Sequence, residues 1–161
     1  MSRRAVDERG QVGGIEAVAF GLLVLVVGCL LISNAWGVID AKSAAGEAAR
    51  QAARTYATAP VSDAAEAAAL ATDAADHTLT DMGWVATVNR LTQGTFQRCS
   101  VITWEITVRV PAFKLPWLAA GPAMFTASAF DSQRVDPYRS GVPGEPSAAG
   151  CAGGVIVPST P

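Results

Sequence analysis

Histidine is nearly absent from this 161-residue sequence, in which His77 is the only one. The sequence also has no glycine-rich phosphate loop, no histidine-anchored nucleophile and no cysteine and histidine cluster with metal-ligand spacing. Most enzymes need such groups to activate a nucleophile or hold an ion, so we predict no enzyme, no cofactor, no metal site and no small-molecule substrate. Asp73 and Asp81 lie four residues to either side of His77, and we interpret the trio as a solvated helix face.

Charged residues are also few, at 16% of the chain, and the formal net charge is −2. Because so small a negative net charge does not attract phosphate groups, we predict no nucleic-acid partner. Half of the residues are hydrophobic, but many of these are alanine, which buries little surface. We therefore expect a modest core that gains stability from a membrane or from neighbouring subunits.

Charged side chains are missing altogether from Ala17 to Ile39. A helix of that length exceeds the roughly 20 residues that span a bilayer core of about 30 Å, so we predict a membrane helix. Arg3, Arg4 and Arg9 precede the segment on a short stub, whereas Lys42, Arg50 and Arg54 follow it at increasing distance. This distribution predicts a single pass with the N-terminus in the cytoplasm and the C-terminus outside.

Good helix formers continue beyond the apolar segment, and we expect one helix over residues 15–58 that Pro60 ends. Asp63 and Glu66 have capping-box spacing and predict a second helix that runs to about Thr80. Within the first helix, small residues and one tyrosine recur at helical spacing and form a stripe along one face: Ala45, Ala48, Ala49, Ala52 and Tyr56.

Beyond Gly83 the pattern changes to β-branched and aromatic residues, and we predict strands over 84–91, 100–110 and 124–134. The second strand alternates most clearly, since Ile102, Trp104 and Ile106 share one face with Val108 and Val110. The predicted fold class is α+β, with a small antiparallel sheet of about three strands. We divide the chain into a leader or cytoplasmic stub (1–14), a transmembrane helix with its helical extension (15–58), an extracytoplasmic helix and sheet (59–136) and a flexible tail rich in Pro, Gly and Ser (137–161).

Three cysteines are present, and Cys29 lies inside the predicted membrane helix. Cys99 and Cys151 are the two in the exported part, so they are candidates for a disulfide in an oxidising compartment. Two free thiols, or a bridge between subunits, are the alternatives.

Three stretches together resemble the TadE/TadG-like minor pilins of the tight-adherence pilus system. The first is RGQVGGIE at residues 9–16, which leads into the apolar helix. The second is AKSAAGEAARQAARTYA at residues 41–57, and the third is RVDPYRSG at residues 134–141, which is similar to the C-terminal end of family members from high-GC Gram-positive bacteria.

The resemblance implies a structural subunit whose partners are the lipid bilayer, other pilins, the pilus assembly platform and a prepilin peptidase. It further implies processing at Gly10 or Gln11 and an assembly role for Glu16, whose carboxylate would pair with the α-amino group of a mature N-terminus. One feature departs from the pilin pattern, in which glutamate is the fifth mature residue. A cut after Gly10 makes Glu16 the sixth, and a cut after Gln11 makes it the fifth.

An alternative function is that of a secreted or membrane-anchored envelope protein with a binding role. Ser33-Asn34-Ala35 has the small residues of a signal-peptidase site, and the charged residues 1–10 would be the n-region. The apolar segment is longer than the usual core of a signal peptide, which favours the pilin interpretation.

Overall fold

The computed structural model describes residues 12–111, 124–144 and 151. Two helices and three strands follow one another along the chain: α1 (Val12–Thr58), α2 (Ala64–Asp81), β1 (Ala86–Gln93), β2 (Val101–Pro111) and β3 (Met124–Arg134). The fold class is therefore α+β, as predicted. Residues 112–122, for which Pro116, Gly121 and Pro122 predict a loop, lie outside the described residues.

α1 runs without interruption over 47 residues and begins three residues before the expected start. It ends at Thr58, where Pro60 restricts the backbone of Ala59 to extended geometry. On the exposed face of its second half, Arg50 donates to the Glu47 carboxylate at 2.7 Å, as the i, i+3 spacing of the two residues allows. The predicted small-residue stripe from Ala45 to Tyr56 is buried.

α2 returns antiparallel to α1 after a short turn. The Asp63 side chain accepts hydrogen bonds from the backbone N–H groups of Ala65 and Glu66 at 2.8 and 2.9 Å, so the predicted N-cap is confirmed. Such a cap satisfies backbone donors that have no partner within the helix. The face of α2 that is buried recurs every four residues, at Ala67, Ala71, Ala75 and Leu79.

The strands form one antiparallel sheet in the order β1-β2-β3. The predicted alternation in β2 is confirmed, since the side chains of Ile102, Trp104, Ile106, Val108 and Val110 are all buried. β1 begins two residues later than predicted. The Trp84 N–H still bonds to the Leu79 carbonyl at 2.8 Å and Gly83 takes a φ of +78°, so this stretch completes the end of α2.

The sheet lies lengthwise along the C-terminal half of α1. A Cβ atom on Gly37 would lie 3.7 Å from Val110 Cγ1, and one on Gly46 would lie 4.0 Å from Ala129 Cβ. At the far end the Tyr56 ring meets the Trp104 ring edge-to-face, with 5.8 Å between centroids. β2 therefore runs back towards the N-terminal half of α1, and the sheet reaches no further than the level of Gly37.

The first eight residues of the predicted flexible tail, 137–144, instead pack on the domain. Val142 is buried, and the Arg139 guanidinium donates to the Ala57 carbonyl at the end of α1. Arg98 donates to the carbonyls of Arg139 and Gly144 at 2.8 and 2.7 Å. A composition-based prediction missed this because the segment is held mainly through backbone carbonyls, which every residue type has. Residues 145–150 and 152–161 lie outside the described part.

Candidate functional site

The N-terminal half of α1 protrudes from the described part of the domain, and its large apolar side chains are mostly exposed. From Glu16 to Asp40 no side chain is buried, although most are large and apolar. The most apolar window has a mean hydropathy of 2.5 and none of it lies inside the fold. α1 is thus long and apolar enough to cross a membrane, and this protruding half is the candidate functional site.

The reason for this exposure is the length of the elements that pack on α1. The sheet reaches the level of Gly37, and the turn after α2 reaches the level of Asp40, whose carboxylate accepts a hydrogen bond from Trp84 Nε1 at 3.2 Å. An apolar surface of this size is unfavourable in water. The protruding half therefore needs lipid or another apolar surface around it.

Glu16 lies at the start of the protruding half, about one helical turn after Val12, and its side chain is exposed. In the described part of the chain no side chain forms an ion pair with it. Gly10 and Gln11, the predicted processing residues, lie outside the described residues.

The cysteines occupy opposite ends of the molecule. Cys99 and Cys151 are joined by a disulfide with 5.1 Å between their Cα atoms, next to the segment that Arg98 holds. Cys29 is free and exposed within the apolar half of α1. The disulfide therefore lies in the domain, and the free thiol lies in the apolar half of α1.

His77 is exposed on α2, where its Nε2 lies 3.6 Å from Asp73 Oδ1. Among the described residues no three His, Cys, Asp or Glu side chains cluster so as to hold a metal ion. The pair is a solvent-facing contact at helical spacing, and such pairs contribute little to stability.

Two open clefts lie on the described surface of the domain. One, of about 460 Å³, is lined by Asp40, Ser43, Ala44, Glu47 and Met82 where the packed half of α1 begins. The other, of about 430 Å³, lies at the opposite end around Arg139 and Ser62. Both are open to solvent, and neither combines an enclosed apolar wall with convergent polar groups as small-molecule sites do.

Arg139 and Arg98 are the structural residues that sequence reasoning missed. α1 has no basic residue in its last turn, and Arg139 supplies a cation there from 82 residues further along the chain. The same guanidinium lies over the Phe96 ring, 5.3 Å from its centroid. No local pattern in the sequence signals such a long-range contact.

No family model, curated protein or solved structure matches this chain.

Proposed function

We propose that the protein is a membrane-anchored structural subunit, a minor pilin of the tight-adherence type, with a non-catalytic role in pilus biogenesis. The observation that carries the proposal is the division of α1 into a half packed beneath the sheet and an apolar half that protrudes uncovered. The lipid bilayer holds the protruding half before assembly, and apolar helices of neighbouring pilins take the place of lipid during assembly. The N-terminus is cytoplasmic and the domain is extracytoplasmic.

Two further observations support this assignment. The disulfide between Cys99 and Cys151 suits an oxidising, extracytoplasmic compartment. The backbone is also helical throughout Ser33–Trp36, and the next residue, Gly37, contacts the sheet. Cleavage after Ala35, which the secretory alternative requires, would need this helix to open at the edge of the folded domain.

The mass of the mature protein distinguishes the two functions. Cleavage after Gly10 removes residues 1–10 and supports the pilin function, whereas a mature N-terminus at Trp36 would establish the secretory alternative. A Gly10→Leu variant should accumulate the uncleaved form if a prepilin peptidase acts there. An uncleaved wild-type chain would leave a membrane anchor and contradict processing.

Substitution of Glu16 tests pilus assembly separately from membrane anchoring. We propose that its carboxylate pairs with the α-amino group of a mature N-terminus and sets the register of packed helices. Glu16→Ala should leave the protein in the membrane fraction, because it removes a charge from the edge of an apolar span. It should reduce the number of pili per cell, and Glu16→Gln, which keeps the shape, should show whether the charge is needed.

Asp73→Ala is the matched control, because Asp73 is an exposed acidic residue on α2 far from the apolar half. Each variant should be the only copy in the cell, with pili counted by electron microscopy. Normal piliation with Glu16→Ala would disprove the assembly role of this carboxylate.

A further inference from the structure

Large apolar side chains are exposed at one end of the domain far more than elsewhere. Among the described residues, and apart from Val18–Ile32 of α1, three exposed large apolar residues are scattered over the domain, namely Leu70, Phe130 and Tyr138. Six others come from three separate elements and lie near the point where α1 leaves the described part of the domain. We call these six residues the collar: Trp36 and Ile39 on α1, Met82 and Val85 after α2, and Met124 and Phe125 on β3.

Contacts of the described residues bring the three parts of the collar to one end of the domain. Val110 packs against Gly37 and pairs with Phe125 across the sheet, so the start of β3 lies close to Trp36. Trp84 Nε1 donates to Asp40 at 3.2 Å, which places the segment with Met82 and Val85 about one helical turn further along α1. Because Gly37 and Asp40 are three residues apart, both contacts lie on one side of the helix, and the collar is an apolar border of the domain at this end.

The length of the apolar helix sets the height of the collar above a bilayer. Ala17–Trp36 comprises 20 residues, which span about 30 Å as a helix and match the thickness of a hydrocarbon core. The next residue, Gly37, already touches the sheet. When α1 spans the membrane, the described part of the domain therefore begins directly where the span ends.

We propose that the collar rests in the interfacial layer of the bilayer that α1 crosses, so that lipid covers the membrane-facing end of the domain. Apolar and aromatic side chains, tryptophan above all, are favoured at this depth. Trp36, with 71% of its surface exposed, and Val85, with 80% exposed, are uncovered in the isolated chain and become buried by lipid. The exposed Lys42 lies one turn beyond Ile39, within reach of lipid phosphates.

Lipid is the occupant that the geometry favours over a second copy of the chain. The collar is continuous with the apolar surface of α1, so a bilayer that α1 crosses reaches the collar without any further partner. A second copy packed beside the apolar half of α1 would have no such need to extend to the domain. The inference rests on membrane insertion of α1, which belongs to the proposed function, but not on pilus assembly.

Site-specific fluorescence quenching tests the collar in the full-length protein. On a Cys29→Ser background that keeps the Cys99–Cys151 bridge, a single cysteine is introduced and labelled with the environment-sensitive fluorophore NBD. Val85→Cys and Met124→Cys probe the collar, and Phe130→Cys, at a comparably exposed site elsewhere on β3, is the matched control. Val24→Cys marks the membrane span. The protein is inserted in phosphatidylcholine and phosphatidylglycerol vesicles, and quenching by aqueous iodide is compared with quenching by nitroxide-labelled lipid.

The expected result is loss of iodide quenching and gain of lipid quenching at positions 85 and 124, with the reverse at position 130. Iodide quenching at 85 and 124 equal to that at 130, with position 24 quenched by lipid, would overturn the collar and leave the anchor intact. Iodide quenching at position 24 as well would overturn membrane insertion itself. Protection of 85 and 124 from both quenchers would mean that protein covers the collar, and would equally overturn the proposal.

Discussion

Removal of the Cys99–Cys151 bridge should destabilise the domain by an amount that the structure allows to be calculated. The two cysteines are 52 residues apart. In the chain-entropy model, closing a loop of that size removes enough freedom from the unfolded chain to stabilise the fold by about 4 kcal/mol. Small domains are stable by only about 5 to 15 kcal/mol, so the bridge accounts for a large share of the total.

The native contacts around the bridge should survive its removal. The Cys99 N–H donates to the Val135 carbonyl at 3.1 Å, and the Arg98 N–H donates to the Pro143 carbonyl at 3.0 Å. These hydrogen bonds hold the segment without any covalent link. The effect of a Cys99→Ser/Cys151→Ser variant therefore acts chiefly through the unfolded state, whose entropy rises when the loop opens.

Urea unfolding in detergent micelles measures the effect, because the micelle keeps the apolar half of α1 covered. Fluorescence reports on Trp104, which is buried against Tyr56. With a urea dependence of about 2 kcal/mol per M, the midpoint should fall by about 2 M. The control is Cys29→Ser, which removes the free thiol of α1 and should leave the midpoint unchanged. Equal midpoints for the bridged and unbridged proteins would refute the reasoning, and a dimer that reduction dissociates would show that the bridge joins subunits instead.

Two further predictions concern the packing of the domain. Gly94→Ala should destabilise the domain far more than Gly83→Ala, as measured by urea unfolding. Both glycines have positive φ, but a Cβ on Gly94 would lie 2.3 Å from the Val101 carbonyl oxygen, whereas nothing lies within 4 Å of one on Gly83. Equal losses would show that the backbone at Gly94 relaxes freely. Burial raises the pKa of the Tyr56 hydroxyl above its ordinary value of 10.0, so the unfolded chain loses this proton at a lower pH than the folded protein. Stability should be unaffected by Tyr56 below pH 10 and should decline as the pH rises from there through the folded-state pKa; Tyr56→Phe should flatten this decline in alkaline unfolding curves, and an unchanged slope would contradict it.

Local rules were sufficient to predict most of the elements. Alternation in β2, the Asp63 cap and the end of α1 before Pro60 each depend on residues within a few positions of one another. The start of β1 was predicted two residues early because Trp84 is an aromatic residue of strand type whose N–H instead completes the turn after α2. The β propensity of Trp84 favoured a strand, but the hydrogen bond from its backbone N–H to the Leu79 carbonyl keeps it in the turn.

The features that could not be predicted depend on contacts between distant parts of the chain. Ser, Pro and Gly in residues 137–144 indicated flexibility, but two arginines, Arg98 and Arg139, hold this segment against the end of α1. Likewise the exposed residues Val85 and Met124 each look like an ordinary strand residue in the sequence. Only the return of α2 and of β2 along α1 brings both to the same end of the domain.

The joint between the two halves of α1 determines how the domain is placed relative to the anchor. The helix is continuous from the apolar half through Gly37, where the sheet begins, so no flexible linker lies between them. Any tilt of the anchor is therefore transmitted to the domain. Membrane helices tilt by about 20° on average, and such a tilt would press one side of the collar into the lipid and lift the other. Because α1 is continuous, packing of the apolar helices in a pilus would also fix the orientation of each domain relative to the pilus axis.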